Sequence, residues 1–408
     1  MLLKSRALSI IKSKIYGITI PLVKGQRLKH LVLILTVPII IFIGFKFFNS
    51  PSNKKISDTT LGLSAFQSKS FETNNFRFVI SKASWTSLHK PGGVVKTANK
   101  FEFYEQEDLS DLFRRFGIEN TILDASPDPK EEMKRLFKYN DDYFVLAVLR
   151  KKTTNCRELS FINLSKGIEI FRGACIPWTN ELDFNGSGGG HTEWNNGILL
   201  GIGTPTTDYD NTSNLAQDDS SLYGKIIYLS SDDLTRSLSS EQIQERVFAK
   251  GLRNPQGLFK LENTIYEVEH GPKGGDELNI IEKNANYGWP LFSFGAKYAT
   301  GIPYTNHKSA VDFRIPIYSW LPSIGVSNLT RCPSVIADQY KEFDCLLVSS
   351  LRAESMFIVI VERELQRVIS VEQVNMGMRI RDFYQFDDDL LFSTDGFPVF
   401  KLSVEKIW

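Results

Sequence analysis

Cysteine is scarce in this chain: there are four in 408 residues, and no two form a Cys-x-x-Cys pair. That spacing excludes a cysteine-held zinc site of the common kind. Long helical periodicity is nearly absent too, and KEEMKRLFKY (130–139) is the best short helix. A helical bundle is thereby excluded. Acidic residues are missing from residues 1–30, where Lys4, Arg6, Lys12, Lys14, Lys24, Arg27 and Lys29 stand. The whole chain carries +1, so the remainder without those seven charges carries −6. A basic end on an acidic body gives no reason to expect a nucleic-acid partner. At 42% hydrophobic, the chain is long enough for one large domain or two ordinary ones.

The basic end leads into an apolar run. Leu31 to Phe45 reads LVLILTVPIIIFIGF, followed by Lys46, Phe47 and Phe48. With Lys46 snorkelling, the run reaches about 18 residues, the lower limit for a bilayer span. Basic residues ahead of it place the N-terminus in the cytoplasm. No small-residue cleavage signal follows, so an uncleaved signal anchor is expected rather than a removed signal peptide. The expected organisation is a cytoplasmic N-terminus (1–30), a transmembrane anchor (31–48), a polar linker (49–70) and a domain outside the cytoplasm (71–408), periplasmic or extracellular. The cysteines agree with export. Cys156 and Cys175 bracket the runs LSFINL and IEIFRGA, which Ser165-Lys166-Gly167 separates into a hairpin, and Cys332 and Cys345 flank another turn. Two local disulfides fit an oxidising compartment; four free buried thiols are the alternative.

Beyond the linker one pattern recurs. A polar or glycine turn leads into an apolar strand that ends in small or polar residues. It appears at NKFEFYEQ (99–106), DYFVLAVLR (142–150), NGILLGIGT (196–204), ENTIYEVEHG (262–271), FDCLLVSSLR (343–352) and DDLLFSTDG (388–396). A second run usually follows, as in LYGKIIYLS and MFIVIVERE. The period is about 55 residues, the size of a four-stranded unit, which points to an all-β fold of propeller type. A pair of β-sandwiches is the alternative. The final run, DDLLFSTDGFPVFKLSVEKIW, puts a strand at the C-terminus. Propellers often close by pairing strands from both chain ends, and the sequence leaves open whether residues 71–90 supply the partner.

The densest chemistry lies in Val247 to Pro290, VFAKGLRNPQGLFKLENTIYEVEHGPKGGDELNIIEKNANYGWP. Arg253, Asn254 and Gln256 are planar hydrogen-bonding side chains beside a proline that stiffens the backbone. Gly271 and Pro272 make a turn whose carbonyls suit a hard cation, and Asp276 and Glu277 add oxygen nearby. A flat, anionic, metal-chelating ligand needs this mix. The stretch resembles the soluble glucose/sorbosone (aldose sugar) dehydrogenases, six-bladed β-propellers that bind pyrroloquinoline quinone (PQQ) through calcium. The likeness is dense over 247–290, recognisable over 180–408, and a matter of pattern over 71–180.

That resemblance implies the following roles. Arg253 and Asn254 contact the quinone, where a guanidinium and an amide stabilise the negative charge built on an oxygen as hydride arrives. The carbonyls of Gly271 and Pro272 hold the calcium. Glu277 and Tyr287 resemble ligands of a second, structural calcium, although Lys297 stands where a carboxylate would help. Arg379 and Arg381 alternate on one strand face and, with Arg352 and the hydroxyl of Ser323, line a cradle for the cofactor's carboxylates. Arg352 replaces a more usual lysine, which keeps the charge and changes the geometry. Pro91-Gly92-Gly93-Val94 is all that answers to a further cofactor contact in the first blade. The expected base, taking the proton of the sugar C1 hydroxyl, is a histidine before a strand, and GSGGGHTEWNNGILLGIGT supplies His191. Tight alignment of the following strand places Ser187, not His191, on the base position. His270 reads as a pocket wall. The implied activity is a membrane-anchored sugar oxidoreductase with an acceptor of unknown kind. A propeller that keeps the pocket and only binds a ligand or glycan is the alternative. Asn163-Leu-Ser, Asn211-Thr-Ser and Asn328-Leu-Thr also fit the glycosylation pattern.

Overall fold

The computed structural model describes residues 68–83, 91–96, 101–105, 109–119, 125–127, 133–151, 153–154, 156–177, 184–205, 211–304, 312–386, 389–396 and 399–407. The apolar run at 31–48 lies outside them. Among the described residues no helix is long and apolar enough to cross a membrane. The folded unit runs from Gln67 to Trp408, and its first strand, Ser68–Glu72, begins inside the segment expected to be linker.

The fold is all-β, and the described residues form six antiparallel sheets in chain order. The first is the hairpin Pro91–Lys96 with Phe101–Glu105. The second is built on Met133–Tyr139, Asp142–Lys151, Cys156–Asn163 and Ile168–Arg172, with two short edge segments. The third holds Gly188–Glu193, Gly197–Ile202, Lys225–Ser230 and Val247–Lys250. The fourth holds Pro255–Leu261, Thr264–Glu269, Asp276–Ile280 and Tyr318–Trp320, and the fifth Val326–Arg331, Phe343–Ser350, Ser355–Glu362 and Arg367–Asn375. The sixth joins Ile380–Phe386, Asp389–Thr394 and Phe400–Lys406 to Phe76–Lys82 and Ser68–Glu72. The N-terminal region therefore does supply the partner of the last strand, with Phe76↔Lys406 through Lys82↔Phe400 in continuous register.

The strands starting at Pro91, Met133, Gly188, Pro255, Val326 and Ile380 each touch the next, and the last touches the first. They make a ring of inner strands. Neighbouring sheets pack face to face through apolar clusters, such as Phe144, Phe161, Leu200 and Ile227 between the second and third. Because both faces are covered, many strands read as unbroken apolar runs, as in Gly197–Ile202, where every residue is buried. Close approach at the axis uses glycine. A Cβ on Gly190 would lie 2.9 Å from the Gly257 carbonyl carbon, and one on Gly257 would lie 2.7 Å from Asn328 Oδ1. Arg135 crosses the middle of the ring. It donates to the carbonyls of Gly189 (3.0 Å) and Gln256 (3.1 Å) and pairs with Asp382, which in turn accepts from Asn328.

Within the expected helix at 130–139, the described residues 133–139 form a strand instead. Met133–Tyr139 pairs with Asp142–Lys151 through a two-residue turn in which Asn140 has φ 51°. Met133, Leu136, Phe137 and Tyr139 are buried, and that packing overrides the helix-favouring KEEMKR lead. A helix forms at Leu109–Phe116, with Leu109, Leu112 and Phe113 on its buried face. Cys156–Cys175 and Cys332–Cys345 are disulfides, and no described cysteine is free. Asn163 is fully buried and donates to the Leu234 carbonyl, so its sequon is a core residue of the fold.

Candidate active site

The loop Leu252–Asn254 enters the inner strand at Pro255, where a missing N–H costs nothing. Glu269, at the end of the neighbouring strand, holds this loop: one carboxylate oxygen accepts from Arg253 N (2.6 Å) and Asn254 N (2.9 Å). Burial pushes Glu269 up to about 7, against the pull of those two N–H groups. The loop so fixed sends the Arg253 side chain across to the Gly271 turn. Its Nη1 donates to the carbonyls of Gly271 (2.9 Å) and His270 (3.1 Å), and the guanidinium lies 5.3 Å from the Trp289 ring centre. Arg253 Nε is buried with no protein partner. Asn254 Oδ1 accepts from Gly188 N (3.0 Å) and from Gln256 Nε2 (2.6 Å), so both amides of the motif sit together.

Asp276 is a clip. One oxygen accepts from Gly271 N (3.2 Å), the other from Gly325 N (2.6 Å) and Val326 N (3.1 Å). It fastens the Gly271–Gly275 turn to the loop that carries Ser323, whose Oγ is buried and unpartnered. The rim continues from there. Arg352 N donates to the Ile324 carbonyl, Leu351 N to Gly325, and Arg379 Nη1 to the Leu351 carbonyl (3.4 Å). Arg379 and Arg381 then converge on Asp395, at 3.0 Å and 2.8 Å. Two guanidinium groups on one carboxylate leave the rim cationic, and Arg352 is exposed beside them. His270 belongs to the same group: burial holds its ring below the usual histidine value, and Arg253 and Arg381 act in the same direction.

Glu277 and Tyr287 line a water-sized cavity of about 10 Å³ together with Arg253, Gly271 and Pro272. Glu277 is buried beside Glu267 and Glu269, and desolvation followed by repulsion from Glu269 raises it well above the carboxylate range. The Tyr287 hydroxyl is used up, donating to Ile280 O (2.6 Å) and accepting from Glu282 N (2.9 Å), so a cation would meet only its main chain. Lys297 lays its ammonium 5.7 Å from the Tyr304 ring centre.

His191 is not brought to this group. It stands in a separate cavity on the axis, its ring stacked on Phe137 at 3.8 Å, with a weak contact from Nδ1 to the Gly189 carbonyl (3.4 Å). Burial, and then the Arg135 charge, lowers it to about 3. Ser187, which precedes Gly188 and so lies beside Asn254, donates to the Phe184 carbonyl. Gly92 and Gly93 open the first inner strand, where a Cβ on Gly93 would meet the Leu136 carbonyl oxygen at 2.5 Å. Three residues that hold the site escaped the sequence reading: Glu269, Trp289 and Asp395. Glu269 sat inside the quoted EHGP motif, whereas nothing in STDGF marked Asp395 as the clamp for two arginines.

Residues 188–396, more than half of the chain and the whole group from Arg253 to Asp395, match the family model described as Glucose / Sorbosone dehydrogenase. The chain belongs to that family. A protein of Synechocystis sp. is 31% identical over 179 residues, covering 42% of this chain and 43% of its own length. The aldose sugar dehydrogenase YliI of Escherichia coli is 29% identical over 184 residues, covering 43% and 49%. The chain thus spans about half the length of these relatives. Among solved structures, the apo soluble aldose sugar dehydrogenase of E. coli superposes with a TM-score of 0.60 at 20% identity, over 80% of this chain and 99% of that one. The PQQ-bound aldose sugar dehydrogenase of Streptomyces coelicolor gives 0.54 at 17%, over 80% and 98%. These likenesses show the fold. The family assignment agrees with the motifs of residues 247–290.

Proposed function

We propose that this chain is a quinoprotein that oxidises the C1 hydroxyl of an aldose, with PQQ as electron acceptor and calcium as the cofactor's anchor. The observation that carries this reading is Arg253: a guanidinium aimed at the Gly271 carbonyl, with its own Nε unpartnered. The family relative in E. coli bears the name of an aldose sugar dehydrogenase, and the S. coelicolor neighbour holds PQQ. The residues fit the group. Gly271 O already faces a cationic nitrogen, as a calcium ligand would, and the buried, unpaired Arg253 Nε and Ser323 Oγ are donors awaiting an acceptor. Gly271 and Pro272 would hold the calcium by their carbonyls, and Glu277 with the Tyr287 main chain a second one. Arg352, Arg379 and Arg381 would take the carboxylates, and Arg253 and Asn254 the quinone edge, with Gln256 setting the Asn254 amide.

When bound, PQQ supplies the two-electron sink and calcium the Lewis acid. Arg253 adds fixed positive charge where negative charge develops, beside the buried Trp289 ring. We read the six sheets as six blades, a count that the ring of inner strands supports. We also read residues 31–48 as a single-span anchor with the blades outside the cytoplasm, which the two disulfides support.

A second reading, binding without turnover, draws on one observation. His191, the base that the family resemblance offers, lies in a different cavity from Arg253. One experiment separates the two. The purified chain is titrated with PQQ, with calcium or with a chelator, and then given aldoses and a redox dye. Binding that requires calcium and is lost at least tenfold in Arg253→Ala, followed by dye reduction, is the expected result. Equal affinity in chelator would defeat the calcium bridge, and tight binding with no dye reduced by any aldose would favour the second reading.

A further inference from the structure

The loops around the Gly271 turn carry a face that the proposed reaction does not use. Nine large apolar side chains are well exposed among the described residues, and five of them lie here: Leu291 (53%), Phe294 (38%), Tyr298 (55%), Ile302 (58%) and Leu321 (62%). Contacts tie these loops together. A Cβ on Gly274 would lie 3.4 Å from Leu321 Cδ2, and one on Gly275 would lie 2.9 Å from the Phe294 carbonyl carbon, so the turn is wedged between the two loops. Leu291 opens the segment, in the turn that Phe292 N closes on Gly288 O (2.9 Å), and the Phe294 ring packs on Phe292 at 5.3 Å. From Ala296 the chain runs out as a hairpin, with Lys297 N donating to Ile302 O (2.9 Å) and Gly301 N to Lys297 O (2.9 Å). Tyr298 and Ile302 stand at its tip.

Charge is one-sided on this face. Residues 271–275, 288–304 and 319–325 contain Lys273 and Lys297, both exposed, and no acidic residue. Arg352, whose N donates to Ile324 O, and Arg379 continue the cationic rim. The exposed acids Glu282, Asp312 and Glu354 stand on the flanking segments, where Glu282 is paired with Arg314. The chain beyond residue 30 carries −6, so this face departs from its surroundings. Apolar tips edged by ammonium groups suit an anionic lipid surface: the tips enter the acyl boundary and the lysines reach the headgroups. A protein partner would need a fitted surface, whereas side chains on separate turn tips are accommodated one by one in a fluid layer.

We propose that this face rests on an anionic lipid bilayer, with Leu291, Phe294, Tyr298, Ile302 and Leu321 at the acyl boundary. The inference rests in one part on the reading of residues 31–48 as an anchor, which keeps a bilayer within reach. It does not depend on PQQ or on turnover.

The test uses the full chain in nanodiscs that contain dibrominated phosphatidylglycerol, whose bromines quench nearby tryptophan. Ile302→Trp and Leu321→Trp report from the face; where one fails to fold, the other decides. Leu365→Trp is the comparison. Leu365 is 61% exposed in the turn after Ser355–Glu362, a strand that runs from the Arg352 loop, so it lies one strand length, about 25 Å, away. With wild-type emission subtracted, the face reporters should be quenched about threefold more than Leu365→Trp. Lys273→Glu combined with Lys297→Glu should lower that quenching by about half. Equal quenching at the face and at Leu365→Trp would overturn the docking, and retention of the chain in the discs would still uphold the anchor. Chain that leaves the discs in high salt, with its face reporters quenched in low salt, would refute the anchor and keep the docking. Quenching unmoved by the two lysine substitutions would overturn the anionic surface. Reporter emission that shifts with protein dilution in detergent would mean that a second copy covers the face, and would overturn the lipid.

Discussion

His191 shows how much a single position depends on its neighbours. In the chain it is a polar residue directly after a glycine-rich run. In the fold it is stacked on Phe137 with Arg135 close by, and the lining it shares also carries Asp382, Glu193 and Lys138. Desolvation and then the Arg135 charge hold it to about 3. An unfolded histidine titrates near 6.5. Between those values the unfolded chain carries a proton that the folded chain refuses, so stability falls as pH drops from about 6.5 towards 3. His191→Gln removes that contribution. We expect the melting temperature of the wild type to drop more than that of His191→Gln between pH 6.5 and pH 4.5, with the two curves parallel above pH 7. Parallel curves throughout would mean that the ring is protonated in the fold. That Arg253 and Gly271 belong to one site was legible in the motif, though their hydrogen bond was not; the tight alignment that put Ser187 on the base position already set His191 apart, but not the cavity it enters. A bulge between Gly188 and His191 shifts the strand register, and no local sequence signal gives the side to which a bulged residue turns.

The elements were legible where burial dictates a continuous run and illegible where the ring does. All six recurring segments lie on strands, because covering both sheet faces demands unbroken apolar sequence. Met133–Tyr139 failed because its interior is KRLFK, whose lysines and arginine read as a helix face. Arg135 points instead into the ring axis, where it joins the strands starting at Gly188, Pro255 and Ile380. A side chain that ties strands far apart in sequence cannot be recognised from its neighbours. The same geometry explains Gly257. With a Cβ there, the contacts to Asn328 Oδ1 and Leu329 Cδ2 would both be 2.7 Å, and that to Asn328 Cα 2.9 Å. Gly257→Ala must push the fourth and fifth sheets apart at the axis. Overpacking of this kind costs about 1–3 kcal/mol. Urea unfolding of Gly257→Ala should show a midpoint shift of that size with an unchanged slope. A wild-type midpoint would show that the inner ring gives way freely.

At the scale of the whole molecule, the ring is closed by the two ends of the folded unit. Phe76–Lys82 and Phe400–Lys406 pair along their entire length, which makes the sixth sheet a composite of the first and last strands in the unit. Leu402 sits at the centre of this seam, opposite Ile80 on one side and Leu390 on the other, and is 4% exposed. A proline there removes a ladder hydrogen bond from an interior strand and costs about 3 kcal/mol or more. The consequence depends on whether the sheets stand alone. Each sheet buries its faces only against its two neighbours, so opening one seam exposes the flanks of the sixth sheet and the first. Leu402→Pro should therefore speed amide hydrogen exchange not only in Phe76–Lys82 and Phe400–Lys406 but also in Ile380–Phe386 and Pro91–Lys96. The strands at Gly197–Ile202 and Thr264–Glu269, on the far side of the ring, should keep most of their protection. If exchange rises only in the two seam strands and the melting temperature holds, closure is decoration and the sheets are stable by pairwise packing alone. If protection is instead lost everywhere at once, the six sheets unfold as one unit and the seam sets the stability of the whole.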